Sequence, residues 1–439
     1  MVVPAGRSAR ISRSRDQPPR FVASCAGKRL SLQEALDTIL RSCPVLPAEQ
    51  VVLERAAGRI TARDLPSLHP KPAFSQATRD GYALGPPAAD SEQHTTEYLV
   101  IGELAAGSVC SQKLGPGTAI RIMTGAMIPR GCRVVVPQEF CKEEDGRVAV
   151  KWTAPAGGPS HIRWQGSELA VGECLVNQGE QLHGCQLALL ADSGYNQVPV
   201  YRQARVAILC TGSELVQQGS PLRKGQKIST NGILLATLTQ TLGAGLAVSP
   251  RTVGDDPGAI CSQLDELVKV GPDLLITTGG MGPGKFDLMQ KIFADQGASI
   301  LYDRLAVRPG KSTMFGLLAG IPFFSLPGPP PAVKILFHEL VAPALKRMAG
   351  WNRVRPPAVE ARLTEEVTMK QDNWLCLKGG FVRLDRSGRL LVRPAATRDR
   401  INGILLLPGG GGDTVLAVGR TVSVHLVAEP GWPKDEGGR

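Results

Sequence analysis

Residues 273–287 read D-L-L-I-T-T-G-G-M-G-P-G-K-F-D. A short apolar run, Leu274 to Ile276, passes through two threonines into four glycines, Gly279, Gly280, Gly282 and Gly284. Leu288, Met289, Ile292 and Phe293 then recur at helical spacing. A buried strand, a glycine turn and a helix in that order favour a parallel sheet over any all-α or all-antiparallel arrangement. Glycines let backbone approach a ligand closely, and the next helix start offers free N–H groups to an anion. The stretch therefore reads as a phosphate-binding loop at the carboxyl end of a parallel strand. It is neither G-x-x-x-x-G-K-[ST] nor a G-x-G-x-x-G opening a first βαβ unit, so taken alone it also fits an ordinary structural turn.

The surrounding chain carries the same alternation. Strands are expected at 205–210, 246–253, 274–277, 300–305, 313–317 and 323–326, and helices at 231–242, 257–270, 288–296 and 332–348. Earlier, 30–41 has amphipathic helical spacing with Ser31 as N-cap, and 84–150 is a turn-rich run of short alternating segments. Beyond V-R-P-P at 354–357, residues 358–430 alternate in short runs with turns, as an all-β module would. The expected organisation is a basic, disordered tail over 1–26, an N-terminal region over 27–204 with an inserted β subdomain near 84–150, an α/β domain over 205–352, and a C-terminal β domain over 355–432.

The length of 439 residues suits two to four domains, and no window approaches a membrane-spanning run of about 18 apolar residues. The net charge is +11. Part of it lies in the first 30 residues, where Arg7, Arg10, Arg13, Arg15, Arg20, Lys28 and Arg29 face one acid, Asp16. That segment lacks the apolar core of a secretory signal. The remaining basicity suits an anionic small ligand or nucleic acid, but only 5% of residues are aromatic, few for a single-strand stacking platform, and no groove-reading element stands out. The ten cysteines form no C-x-x-C and have no histidines at zinc spacing. They are expected to be reduced, mostly buried thiols of a cytoplasmic protein.

Four segments then match one family in order: P-A-F-S-Q-A-T-R-D-G-Y-A (72–83), R-I-M-T-G-A-M-I-P-R-G (121–131), T-T-G-G-M-G-P-G-K-F-D (277–287) and L-P-G-P-P-P-A-V (326–333). The chain resembles the molybdopterin molybdenumtransferases, the MoeA family, from about residue 27 to about 430. The resemblance implies a multidomain α/β and β protein: a central parallel-sheet α/β molybdopterin-binding domain, an N-terminal mixed region with an inserted β subdomain, and a C-terminal β-barrel-like domain. It implies insertion of molybdate into adenylylated molybdopterin with release of AMP. It also implies an elongated homodimer, with the site between one subunit's N-terminal region and the partner's central domain. Molybdopterin adenylyltransferase and apo-molybdoenzymes are implied partners, Mg2+ is the implied cofactor, and neither membrane nor nucleic acid is expected.

Carried over residue by residue, the resemblance gives catalytic roles to Asp80, Glu168, Glu214 and Asp287, with Glu168 standing where the family usually has Asp. It gives metal binding to Asp80, Glu214, Asp255, Asp256 and Asp287. It gives substrate binding to Thr211, Gly212, Thr278, Gly279, Gly280, Met281, Gly282, Arg304, Arg308, Lys311, Pro327 and Pro330. Each has a plainer alternative: Asp80 before Gly81 suits a turn, Asp255-Asp256-Pro257 suits a helix cap, and Arg304 and Arg308 suit a solvated strand end. The chain also departs from the family's pattern. Ser75, Gln76, Ala77 and Arg79 replace its usual residues, acids are lost at Ser213 and Ser229, an acid becomes Lys285, and Pro329 replaces an asparagine. A more cationic site with weaker Mg2+ binding is expected, and with it the alternative of a catalytically weakened paralogue that binds or carries molybdenum cofactor.

Overall fold

The computed structural model describes residues 29–88, 96–151, 160–280, 286–369, 373–396, 399–409 and 414–431. The expected basic tail, and the expected ligands Met281 and Gly282, lie outside them. By contact the chain forms two compact units, one of Ala48–Val200 and one of Tyr201–Arg439 joined by the N-terminal segment ending at Pro47.

Helix α1 (Leu32–Ser42) opens with a capping box: Glu34 N–H donates to Ser31 Oγ at 3.2 Å, and Ser31 N–H donates to Glu34 Oε2 at 2.8 Å. Its apolar face, with Ala35 and Ile39 fully buried, joins the core of the larger unit beside Leu345 and Met348.

The smaller unit contains a mixed sheet of β1 (Gly81–Leu84), β2 (Thr96–Leu104), β3 (Thr118–Ile122), β4 (Val134–Pro137), β5 (Cys141–Glu144) and β6 (Arg147–Val150). Their order is β4-β1-β3-β2-β6-β5. This is the β module expected from the turn-rich texture of 84–150, begun one strand earlier. Helix α2 (Gly184–Asp192) packs Leu190 against Leu65, Val198 and Val200 in a separate small core.

The larger unit is built on a six-stranded sheet. In chain order its elements are β7 (Ala204–Thr211), α3 (Asn231–Leu242), β8 (Gly245–Val253), α4 (Pro257–Lys269), β9 (Leu274–Thr278), α5 (Phe286–Asp295), β10 (Ser299–Tyr302), β11 (Met314–Leu318) and β12 (Ile321–Leu326). The order is β8-β7-β9-β12-β11-β10. The first four strands are parallel, while β11 runs against them and pairs antiparallel with both β12 and the edge strand β10. A two-residue turn joins β11 to β12, too short for a crossover, so that pair must be a hairpin.

Both faces of the sheet are covered, and residues along each strand alternate between them. Val206, Ile208, Leu274, Ile276 and Phe324 face one core, with α1 and α3. Ala207, Leu209, Leu275 and Phe323 face the other, with Ile260 and Leu264 of α4 and Phe293 of α5. There Phe293 and Phe323 stack with ring centroids 3.9 Å apart. Burial on both faces explains why these strands read as continuous apolar runs.

After β12 the chain forms α6 (Pro330–Leu336), a π-helical turn (Phe337–Val341) and α7 (Ala342–Met348). The single helix expected at 332–348 is thus continuous but widened at its centre. The C-terminal strands are β13 (Ala358–Leu363), β14 (Leu375–Leu384), β15 (Leu390–Pro394), β16 (Gly403–Leu407) and β17 (Thr421–Leu426). They pair in the cycle β14-β15-β13-β17-β16 and back to β14, which closes a barrel. Buried Asn402 steadies it, donating to Val382 O at 2.8 Å and accepting from Val382 N–H at 2.7 Å. His425 Nδ1 meets the buried carboxylate of Glu339 at 2.9 Å, tying the barrel to the π-helical turn.

The nine cysteines among the described residues are free thiols, as expected, but only Cys43 and Cys210 are buried. The expectation of mostly buried thiols is corrected here. Cys174 and Cys185 are exposed because they lie in the small layers of the N-terminal unit, where little chain covers them. Among the described residues no helix is long and apolar enough to cross a membrane.

Candidate functional site

Strand β7 comes first in the sheet but sits inside it. The chain leaves it for β8 on one side and then returns for β9 on the other. The carboxyl ends of β7 and β9 therefore flank a topological switch point, where the two crossovers leave in opposite directions and open a crevice. A cleft of about 510 Å³ opens there. Thr211 and Gly212 come from the end of β7, Thr278, Gly279 and Gly280 from the end of β9, and Pro327, Gly328, Pro329 and Pro330 from the turn into α6.

Local chemistry shapes each wall. Gly279 has φ 95°, and a Cβ there would lie 2.0 Å from Thr211 O, so only glycine lets β7 and β9 end this close together. Gly279 N–H donates to Leu326 O at 3.2 Å, and Thr211 Oγ1 donates to Thr278 O at 3.3 Å. A Cβ on Gly212 would lie 2.9 Å from Glu214 Oε2, so the Glu214 carboxylate rests against bare backbone. Gly212 N–H donates to Val253 O at 3.1 Å, and Lys227 N–H donates to Glu214 O at 2.8 Å.

Two of the departures from the family's acids hold these loops. Ser213 Oγ accepts from Asp255 N–H at 3.0 Å while Asp255 Oδ2 accepts from Ser213 N–H at 3.1 Å. Ser229 Oγ lies 2.9 Å from Thr252 Oγ1. Hydroxyls thus join loop to loop where the family usually carries carboxylates.

Of the expected residues, the cleft gathers Thr211, Gly212, Glu214, Asp255, Thr278, Gly279, Gly280, Pro327 and Pro330. Met281, Gly282 and the side chain of Asp287 lie outside the described residues, and the remaining expected residues lie elsewhere. Asp256 caps α4, accepting from Ala259 N–H at 2.7 Å. Arg304, Arg308 and Lys311 are exposed on the segment between β10 and β11, which pairs with barrel strand β14, and do not line the cleft. Asp287 is the second residue of α5, and its side chain lies outside the described residues. Asp80 and Glu168 belong to the smaller unit. Asp80 Oδ1 accepts from Thr124 N–H and Oγ1, both at 2.7 Å, and these bonds hold its carboxyl below the usual carboxylate range. Glu168 faces Arg163 at 3.3 Å in a separate cleft of about 260 Å³.

Sequence reasoning missed Lys227, Thr230 and Asn231 as lining residues. Asn231 is buried, donating through Nδ2 to Gly328 O at 2.8 Å and to Thr278 Oγ1 at 3.2 Å. A carbonyl must accept, so the first bond fixes which amide atom is nitrogen and leaves Oδ1 as an acceptor without a protein partner. The signal was present in I-S-T-N (228–231), but the asparagine reads equally as a helix start.

The expectation of a more cationic site is a comparison with the family's pattern, and Lys285, one of the changes it rests on, lies outside the described residues; among those described, Ser213 and Ser229 offer neutral hydroxyls. Glu214 and Asp255 face one cation, Lys227. The loss of acids at Ser213 and Ser229 leaves a hydroxyl-rich pocket with two carboxylates.

This geometry agrees with the comparisons to known proteins. The family profile described as MoeA N-terminal region (domain I and II) matches residues 30–194, and one described as probable molybdopterin binding domain matches residues 207–347. A molybdopterin molybdenumtransferase from Staphylococcus aureus (strain MSSA476) is 30% identical over 408 residues, covering 90% of this chain and 95% of the relative. The chain belongs to the molybdopterin molybdenumtransferase family. A second such transferase, from Staphylococcus epidermidis, is 28% identical and covers 87% of this chain and 92% of its own length. A crystal structure of the molybdopterin biosynthesis MoeA protein from Pyrococcus horikosii, 29% identical, matches with a TM-score of 0.77 over 91% of this chain and 99% of that one. The family's α/β domain is therefore the one that carries the cleft.

Proposed function

We propose that the protein inserts molybdate into adenylylated molybdopterin and releases AMP, in the biosynthesis of molybdenum cofactor. One observation carries this reading. The family's glycine and proline turns meet at the switch point of the α/β sheet around two carboxylates, over a chain aligned with 95% of a named transferase.

The residues divide the work as follows. Gly279 and Gly280 bring bare backbone to the ligand's phosphate, with Thr211 and Thr278 beside them. Lys227 supplies the cleft's cation among the described residues. Asn231 Oδ1 accepts a hydrogen bond from the bound ligand. Glu214 and Asp255 offer hard oxygen donors, and Mg2+ is commonly held by one or two carboxylates with substrate oxygens completing the shell. Those two residues therefore fit Mg2+, which would neutralise charge on the phosphoanhydride as AMP leaves. Asp256 is the weakest of the metal assignments, because its carboxylate already caps a helix. Asp80 and Glu168 supply further carboxylates from the smaller unit, and Asp287 is the second residue of the helix after the glycine loop. The working form is a homodimer in the cytoplasm, served by a molybdopterin adenylyltransferase and serving apo-molybdoenzymes.

The test is AMP release from adenylylated molybdopterin by the purified chain with molybdate and Mg2+. Molybdate-dependent AMP release with formation of active cofactor supports the transferase. Tight ligand binding without AMP release would defeat it.

A further inference from the structure

One wall of the sheet cleft is the base of a loop. Leu215–Val216 and Lys227–Ile228 pair as a short parallel ladder, and Leu215, Lys227 and Ile228 line the cleft. The base is fixed: Lys227 N–H donates to Glu214 O and Ser229 N–H donates to Val216 O, both at 2.8 Å. Between these strands the chain at 217–226 turns back on itself twice. Ser220 N–H donates to Gln217 O at 3.2 Å. Gln226 N–H donates to Arg223 O, and Arg223 N–H donates to Gln226 Oε1, both at 3.0 Å. Among the described residues, no hydrogen bond or ion pair ties 217–226 to any other part of the protein.

The loop is therefore built to move over a floor that is not. Gly279 and the strands beneath the cleft are held by the sheet, whereas the loop's bonds travel with it. Gly219 and Gly225 have φ of 85° and 88°, and a Cβ on either would meet nothing within 4 Å. These two glycines serve backbone conformation rather than close packing, and they bracket the tip as hinges do. A surface loop with close ends and no packed side chains changes position at small cost. Its tip carries Leu222, 57% exposed, beside exposed Arg223 and Lys224. Lys224 is three residues from Lys227, a span of at most about 11 Å, and its four-carbon stem extends that reach across the cleft.

We propose that 217–226 is a strap that closes over the occupied cleft, bringing Arg223 and Lys224 to a phosphate of the ligand and Leu222 over it as a cover against water. The inference rests on the proposed function for the identity of that ligand. Open, the two cations lie in water and the cleft is free for a large ligand to enter and for AMP to leave. Closed, they form charge-assisted bonds to phosphate oxygens that the glycine floor reaches only with backbone N–H groups.

The experiment uses the full chain with AMP as the probe. Trypsin cuts after Arg223 and Lys224 in the open strap, and mass spectrometry identifies those cuts. Saturating AMP is expected to slow them about tenfold, because cleavage follows the open population. Arg223→Gln with Lys224→Gln is expected to weaken AMP binding about tenfold by equilibrium dialysis, with the thermal midpoint unchanged. Leu222→Trp places an indole at the tip, and its emission is expected to shift to the blue when AMP binds. Bound AMP with unchanged trypsin cutting and unchanged Leu222→Trp emission overturns the strap and leaves the transferase reading standing. Protection with unchanged affinity in the double variant overturns the roles of Arg223 and Lys224. Weakened affinity without protection overturns closure, since the cations would then act from the open position. Failure of wild type to bind AMP counts against the strap and the proposed function together.

Discussion

Two regions of the larger unit gather polar groups, and they are built on opposite plans. At the carboxyl ends of β7 and β9 the backbone does the holding: glycines and prolines bring chain ends together, and the charged lining among the described residues is two carboxylates and a lysine. At the barrel junction side chains do it: three cations collect around one indole on a backbone ladder. The first arrangement is rigid and sensitive to any added atom, because its shape is the site. The second is exposed and graded, because each cation adds its own share.

The largest expected effect tests the rigidity of the first region. Gly279→Ala puts a methyl 2.0 Å from Thr211 O at a φ of 95°. Strain and clash together should cost about 3 kcal/mol or more, lowering the unfolding midpoint and abolishing AMP release. Lys311→Gln, on the exposed segment, should move stability by less than about 0.5 kcal/mol. Equal effects of the two substitutions on the midpoint would erase the distinction.

A second substitution separates shape from charge inside the cleft. Asp255→Asn keeps the side chain's size and an acceptor for Ser213 N–H while removing the carboxylate. AMP release should fall about a hundredfold at saturating ligand, with ligand affinity changed less than tenfold. Restoration of wild-type turnover by raised Mg2+ would sharpen the assignment. Full turnover in ordinary Mg2+ would remove Asp255 from the chemistry.

The contrast also explains what the sequence made legible. Glycine spacing, strand–helix alternation and the proline turn are local, so the α/β sheet and most of its cleft could be read directly, and α3 falls at 231–242 as its pattern predicts. The Arg29–Arg308–Lys311–Trp374 cluster could not, because its members lie in three segments that only the fold brings together. Asn231 was hidden for another reason: an asparagine at a helix start has an ordinary local explanation that masks its place in a pocket. The antiparallel edge of the sheet turned on a two-residue turn after Leu318, a smaller signal than the helices around it. The hydroxyl pairs of Ser213 with Asp255 and Ser229 with Thr252 were not legible either, because each joins positions more than twenty residues apart.

Helix α6 begins at the cleft with Pro330, and the π-helical turn that follows meets the barrel through Glu339, so acid can test whether the two regions come apart together. Burial, with the nearby Lys334 and Lys346, pushes the His338 imidazole down to about 4. A base with a depressed folded pKa is neutral in the native state, and the unfolded chain binds its proton first. Its contribution is therefore intact above about 6.5 and is lost as pH falls toward about 4. At about 1.4 kcal/mol per pH unit, the loss near pH 5 is on the order of 2 kcal/mol. Thermal unfolding followed across pH 7 to 4 should show this slope in wild type and a shallower one in His338→Gln. Identical slopes would mean that other groups drive the acid response.

The smallest effect concerns a carboxylate of the smaller unit and asks whether local hydrogen bonds can tune a group that burial does not. Asp80 is exposed, yet its carboxyl is held low by the Thr124 backbone N–H first and the Thr124 hydroxyl second. Thr124→Val removes the hydroxyl and leaves the N–H, so the Asp80 carboxyl should titrate at higher pH while remaining below its ordinary value. A depressed acid is ionised down to its folded pKa, so raising that pKa makes the carboxylate protonate sooner on acidification. If Asp80 takes part in AMP release, the acid limb of the pH–rate profile should move to higher pH in Thr124→Val, with the neutral-pH rate nearly unchanged. An unmoved limb, with the Asp80 shift itself verified by NMR titration, would remove Asp80 from the rate-determining chemistry. It would turn attention to the cleft carboxylates, Glu214 and Asp255, and to Glu168 and Asp287.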